Sequence, residues 1–235
     1  GVSYVAVLVS LFLMRTEELR PSPPAERAKG QIREGFRYVR RTADLFVPLV
    51  MMGVVGTLAF NFGTVMPLFV TRDLDGSDMV FTVLFSVVSV GSVLGALVAA
   101  RRREVTVWNV GMSSLGFGAT MAALAVVPSV ATAMPVALVL GVFSITFLTM
   151  STAIVQMRAE PEMRGRVLAL QAMLFLGSTP IGGPIVGWVA QVFGARWSIA
   201  LGAVACVAAG GWGMVTVGRG DHRVGSDPGR EVLTS

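Results

Sequence analysis

The chain has 235 residues, 54% of them hydrophobic and 14% charged, with a mean hydropathy of +0.72 and a net charge of +5. Soluble domains carry about 25% charged residues, so this composition excludes a disordered chain, a nucleic-acid-binding domain and most soluble enzymes. A single cysteine excludes a disulfide framework and a cysteine-rich metal site.

The first apolar stretch, Val2–Met14, falls short of the roughly 20 residues that cross a bilayer. It reads as the end of a helix whose beginning lies upstream, with the chain a fragment opening on Gly1. A signal peptide is the rival reading, but no basic region precedes the stretch and no small-residue cleavage site follows it. Residues 15–44 form a basic connector. Pro21, Pro23 and Pro24 stiffen its first part. Over Gln31–Thr42, Ile32, Phe36 and Val39 recur at helical spacing among Arg33, Arg37, Arg40 and Arg41. That pattern predicts a short basic helix on the membrane surface, drawn to anionic headgroups. A partner-binding helix is the alternative.

Six full-length apolar spans follow: Leu45–Val70, Met79–Ala100, Val107–Val127, Ala131–Gln156, Val167–Phe193 and Ser198–Val217. Residues 218–235 form a polar tail. Basic residues concentrate in the first connector, in Arg101–Arg103, in Arg158, Arg164 and Arg166, and in the tail, while alternate connectors hold only Arg72 and Arg196. Arginine-rich loops stay in the cytoplasm, so the long connector and the C-terminus are expected inside. All 14 acids lie in connectors, in the tail or, as Asp44, at a span entrance, and the one histidine, His222, is in the tail. The spans therefore hold no intramembrane proton relay, carboxylate pair or metal site, and an enzyme is not expected.

Polar side chains in the spans form stripes. Thr57, Asn61 and Thr64 share one helix face, as do Thr149, Thr152 and Gln156 three spans later; Asn109, Ser113 and Thr120 make a third set. Each stripe lines a cavity or bonds to a neighbouring helix. Gly91 and Gly95, and Gly183 and Gly187, stand at the small-residue spacing of helix contacts, for sliding or for static packing. Pro180 and Pro184 around Gly182 and Gly183 predict a kink flanked by Gly177 and Gly187.

These spans, the long basic connector, the Pro161-Glu162-Met163-Arg164-Gly165-Arg166-Val167 run and the segment Gly177–Trp197 resemble the C-terminal half of a major facilitator superfamily transporter. Within that superfamily the chain is most similar to bacterial drug and siderophore exporters, the enterobactin-exporter type of transmembrane secretion effector. The resemblance implies an all-α membrane fold: six helices as two inverted three-helix repeats, preceded by the end of helix six at residues 1–14. Residues 15–44 become the central loop and residues 45–217 helices seven to twelve. Helices seven and ten, which line the family's cavity, carry Thr57, Asn61 and Thr64, and Thr149, Thr152 and Gln156; the third stripe falls on a peripheral helix. The cytoplasmic loops would be Arg101, Arg102 and Arg103, and Arg164, Gly165 and Arg166. The family's signature loop survives here only as Gly95 followed by those three arginines, with Glu104 beyond them.

The expected function is a secondary exporter of small amphipathic compounds, drug-like or siderophore-like, coupled to protons and working by alternating access with an N-terminal six-helix half. No cofactor, metal or nucleic acid is expected, only substrate, protons and the lipid bilayer. A non-transporting membrane protein, as receptor, sensor or six-span scaffold, is the alternative. Eighteen arginines to one lysine suggest a high-GC bacterial genome and hence the cytoplasmic membrane.

Overall fold

The computed structural model describes Val5, Val9 and residues 31–102 and 104–224. The expected helix end at Val2–Met14, beyond the helical positions Val5 and Val9, lies outside the described residues. So do the proline-rich piece, Arg103 and the end of the tail. Among the described residues every regular element is helical: α1 (Gln31–Arg41), α2 (Ala43–Leu58), α3 (Phe62–Leu68), α4 (Asp78–Ala100), α5 (Val107–Val126), α6 (Val130–Arg158), α7 (Pro161–Val192) and α8 (Ala195–Val224). A π-helical turn, Phe69–Asp73, extends α3. Taking Ala43–Asp73 as one stretch, six helices are long and apolar enough to cross a membrane. This is a multi-pass all-α membrane fold.

Local chemistry places the ends. Thr106 accepts from the Asn109 N–H to cap α5. Ser129 and Thr132 form a reciprocal capping box at the start of α6. Pro161 at the first turn of α7 needs no N–H partner there. That start corrects one expectation: Arg164, Gly165 and Arg166 lie in the opening turns of a helix, because Pro161 and Glu162 favour helix initiation. The connector shrinks to Ala159 and Glu160. Gly194, at φ +99°, makes the equally tight turn into α8.

Two helix pairs approach closely, α4 with α6 and α5 with α8. A side chain at Gly91 would land on the Leu138 carbonyl, and one at Gly141 on the Val88 carbonyl. The missing side chains let the α4 and α6 backbones touch, and hydroxyls stitch the seam: Thr146 Oγ1 donates to Gly95 O at 3.2 Å. Ser114 Oγ does the same from α5 to Cys206 O on α8, at 2.8 Å. Phe69, Phe117, Phe147, Met51 and Met52 fill the interior. In the membrane-spanning stretches of α4 and α7 only 28% and 17% of the residues are buried, against 44% or more in the other spans. Both leave an apolar face uncovered by the described helices.

The α4–α6 seam yields a stability prediction. Gly91→Ala and Gly141→Ala each force the backbones apart and should cost about 1–3 kcal/mol, read as a lower unfolding temperature in detergent. Gly211→Ala, with no neighbour within 4 Å of the added methyl, should be neutral or stabilise by up to about 1 kcal/mol.

Candidate functional site

The first span is interrupted where the sequence reads as continuous. After Leu58 the Ala59 and Phe60 N–H groups both turn back to Val55 O, at 2.8 and 3.3 Å. Asn61 leaves helical geometry (φ −99°, ψ 39°), and α3 restarts with Thr64 and Val65 bonded to Asn61 O at 3.1 and 3.2 Å. Asn61 and Gly63 are weak helix formers, so the interruption costs little intrinsic helix stability. The freed carbonyl of Thr57 accepts instead from the Asn61 side chain, Nδ2 at 2.7 Å. Asn61 is 6% exposed, and a space of about 20 Å³, room for one water, lies against it and Ser198.

This break faces the glycines of α7. A Cβ on Gly182 would strike the Thr57 carbonyl and come within 2.9 Å of Asn61 Nδ2. The Gly183 position faces Asn61 Oδ1 at 3.8 Å, and that of Gly187 faces Thr64 at 3.5 Å. The stripe Thr57, Asn61 and Thr64 therefore lies along Gly182, Gly183 and Gly187. α7 stays helical through Pro180 and Pro184, both exposed, and Gly177 meets nothing within 4 Å. Phe60, released from the helix, sits among Phe62, Phe117, Phe147 and Phe175, with ring centroids 5.2–6.5 Å away.

The second stripe also reaches α7. Thr152 Oγ1 donates to Leu148 O and accepts from Gln171 Nε2, both at 2.9 Å. Gln171 is 6% exposed, and its Oε1 and the buried Ser151 Oγ have no protein partner. Thr149 is half-buried and Gln156 exposed near the end of α6. Sequence reasoning passed over Gln171; its recurrence with Ser178 and Gly182 at helical spacing is the signal that marks it. The third stripe bonds locally, Ser113 to Val110 O and Thr120 to Gly116 O. Among the described residues no three His, Cys, Asp or Glu side chains converge on a metal-sized site. Hydrogen bonding and apolar contact are what these helices offer a ligand.

Charged groups tie the two ends of the spans. At one end Arg196 donates to Asp73 Oδ1 (3.1 Å) and to Ala125 O (2.9 Å), and its guanidinium lies over the Phe69 ring at 5.6 Å. Three spans meet on that side chain. At the other end Arg166 binds Glu34 (2.8 Å) and the Glu160 N–H donates to Tyr38 Oη (3.2 Å), which docks α1 onto the start of α7, and Arg158 at the end of α6 faces Asp44 at the start of α2 (3.8 Å). Arg101 and Arg102 are exposed after α4, and Arg164 is exposed on α7. A groove of about 670 Å³ runs between α1–α2 and α7. Of the first two polar stripes only Thr57 lines it.

The family described as transmembrane secretion effector matches residues 1–218. No curated protein matches the chain.

Gln171 and Asn61 should respond differently to removal of their amides. Gln171→Leu loses the bond to Thr152 but keeps much of the volume and removes an acceptor without a partner, so the two effects offset and the unfolding temperature should correspond to a change within about 1 kcal/mol. Asn61→Leu strands the Thr57 carbonyl and should cost about 1–3 kcal/mol. Thermal unfolding of both variants in the same detergent checks the contrast.

Proposed function

The chain belongs to the transmembrane secretion effector family of major facilitator transporters, and from that membership we propose that it exports small amphipathic compounds, drug-like or siderophore-like, by alternating access. Proton coupling is part of the reading. The six spans then form the C-terminal half of the fold as two inverted three-helix repeats. An N-terminal six-helix half covers the apolar faces of α4 and α7, and residues 1–14 end its last helix. Residues 15–44 are the central loop and 218–235 the tail, both cytoplasmic, in the cytoplasmic membrane of a bacterium.

The single observation that carries the reading is the interruption of the first span at Asn61 against Gly182 and Gly183. Transporters place substrate at discontinuous spanning helices; here the freed Thr57 carbonyl is taken up by Asn61, so the break supplies a hinge and Thr64 the polar contact beside it. Thr57, Asn61, Thr64, Thr149, Thr152 and Gln156 are assigned to the substrate path, with Gln171 added. The α7 segment Gly177, Pro180, Gly182, Gly183, Pro184 and Gly187 is assigned to the conformational change. Thr64, Gln156 and the free Oε1 of Gln171 are the groups with capacity to spare for substrate. Thr57 and Asn61 already spend theirs on the break.

The test is accumulation of a compound panel in cells or vesicles containing the full-length protein, with and without an uncoupler. Uncoupler-sensitive export of part of the panel is expected. Export by none, or export indifferent to the gradient, would remove the reading or its coupling respectively. Thr64→Val and Gln156→Leu should each change the preference between compounds by about three- to tenfold, the effect of about 0.5–1.5 kcal/mol per hydrogen bond, with the unfolding temperature unchanged. Orientation is checked separately: cysteines at Asp75 and Pro128 should react with an impermeant thiol reagent outside intact cells, and one at Glu160 should not.

A further inference from the structure

We propose that the α6–α7 contact at Gln171 is a substrate subsite that takes an uncharged N–H or O–H donor carried on an aromatic or apolar body. The inference deepens the export reading and rests on it. Its basis is the direction of one chain of hydrogen bonds. Thr152 Oγ1 spends its only proton on Leu148 O, so the atom of Gln171 that faces it must be a donor. That atom is Nε2, at 2.9 Å. The amide is thereby fixed in one orientation, and Oε1 is left as an acceptor with both lone pairs free.

Two buried polar atoms on these helices lack a protein partner. Gln171 is 6% exposed, and Ser151, which adjoins Thr152 on α6, is 1% exposed; neither Oε1 of the one nor Oγ of the other is bonded. Such groups are costly where the surrounding medium is hydrocarbon. Thr57, Asn61 and Ser178 show the usual treatment in these spans, since each bonds to a carbonyl of the protein. An acceptor left free between two helices is completed by a donor that comes from elsewhere. Oε1 is sealed in this conformation. It lies on α7, the helix assigned to the conformational change, so movement of α7 opens it to a substrate.

The surroundings define what carries the donor. From Val130 to Met157 and from Val167 to Val192, α6 and α7 contain no ionisable side chain. A charged ammonium would lose its hydration there without gaining a counter-ion. The chain reverses between α6 and α7 at Ala159 and Glu160. Phe147, four residues before Ser151, and Phe175, four after Gln171, therefore both lie one turn deeper in the span. Their ring centroids are 6.5 and 5.2 Å from that of Phe60 at the break. A donor on Gln171 is thus about 5.4 Å, one helical turn, from an aromatic cluster.

The experiment measures matched pairs of aromatic amides, each a secondary arylamide with its N–H and the same compound N-methylated. Binding is read on the purified full-length protein and export, separately, in vesicles. The N–H member should bind about three- to tenfold more tightly, the worth of one hydrogen bond. Gln171→Leu should bring that ratio to one. Thr152→Val, which frees the amide to turn, should lower it, and Thr152→Ser, which keeps the hydroxyl, should preserve it. Both members of a pair are measured on one preparation, so loss of folded protein cancels from the ratio. A ratio of one in the unsubstituted protein, with Oε1 then served by water, would overturn the proposal and leave the export reading standing. A ratio that survives Gln171→Leu would do the same, as would binding of neither member while other compounds are exported. An ammonium analogue bound more tightly than the amide would contradict the uncharged class. Donor preference that depends on Gln171, with no export of any compound, would overturn the export reading and keep the binding site.

Discussion

Hydrocarbon offers no hydrogen bonds, so every backbone group inside a span must find its partner within the protein. That constraint shapes the one place among the described residues where a span is not helical. When α2 ends at Leu58, the Thr57 carbonyl would be left bare in a nonpolar medium. The Asn61 amide takes it at 2.7 Å, and Gly182, without a side chain, lets α7 close over the pair. An asparagine on one helix and a glycine on another are thus two halves of one solution. Either alone would leave the interruption costly.

The same economy explains why α7 is the common partner. It receives the first polar stripe on Gly182, Gly183 and Gly187, and the second through Gln171 on Thr152. It stays helical through two prolines while carrying the least buried of the six spans. The remaining seams are of a different kind. Between α4 and α6, and between α5 and α8, glycine backbones touch and serine or threonine hydroxyls lock them. In the proposed cycle those seams move as units, and the α2–α3 break against α7 is where the bundle gives.

Most of the fold is legible in the sequence because hydropathy and charge act over twenty residues at a time. Spans two, three and four end within a few residues of where composition puts them, and Gly91 and Gly95 do pack against a neighbour. Short-range competition is harder to read. Pro161 pulls Arg164, Gly165 and Arg166 into a helix that their charge had argued against. The break at Asn61 is invisible to hydropathy, since Ala59, Phe60 and Phe62 keep the stretch apolar. Gln171 escapes for the opposite reason: one polar residue near a span entrance carries no periodic signal until Ser178 and Gly182 are known to share its face. Arg196 looks like an ordinary connector charge, yet it joins Asp73, Ala125 and Phe69. Contacts between residues 71 and 123 positions apart leave no local trace.

The measurement that bears most directly on the account is the distance across the break during transport. Spin labels at Val54, half-exposed on α2, and at Asp75, exposed beyond α3, bracket it. In the full-length protein in a bilayer, electron–electron resonance should show two distance populations whose ratio shifts when a transported compound is added. A single narrow distribution, unchanged at saturating compound, would mean that the interruption at Asn61 is rigid packing and that the chain flexes elsewhere.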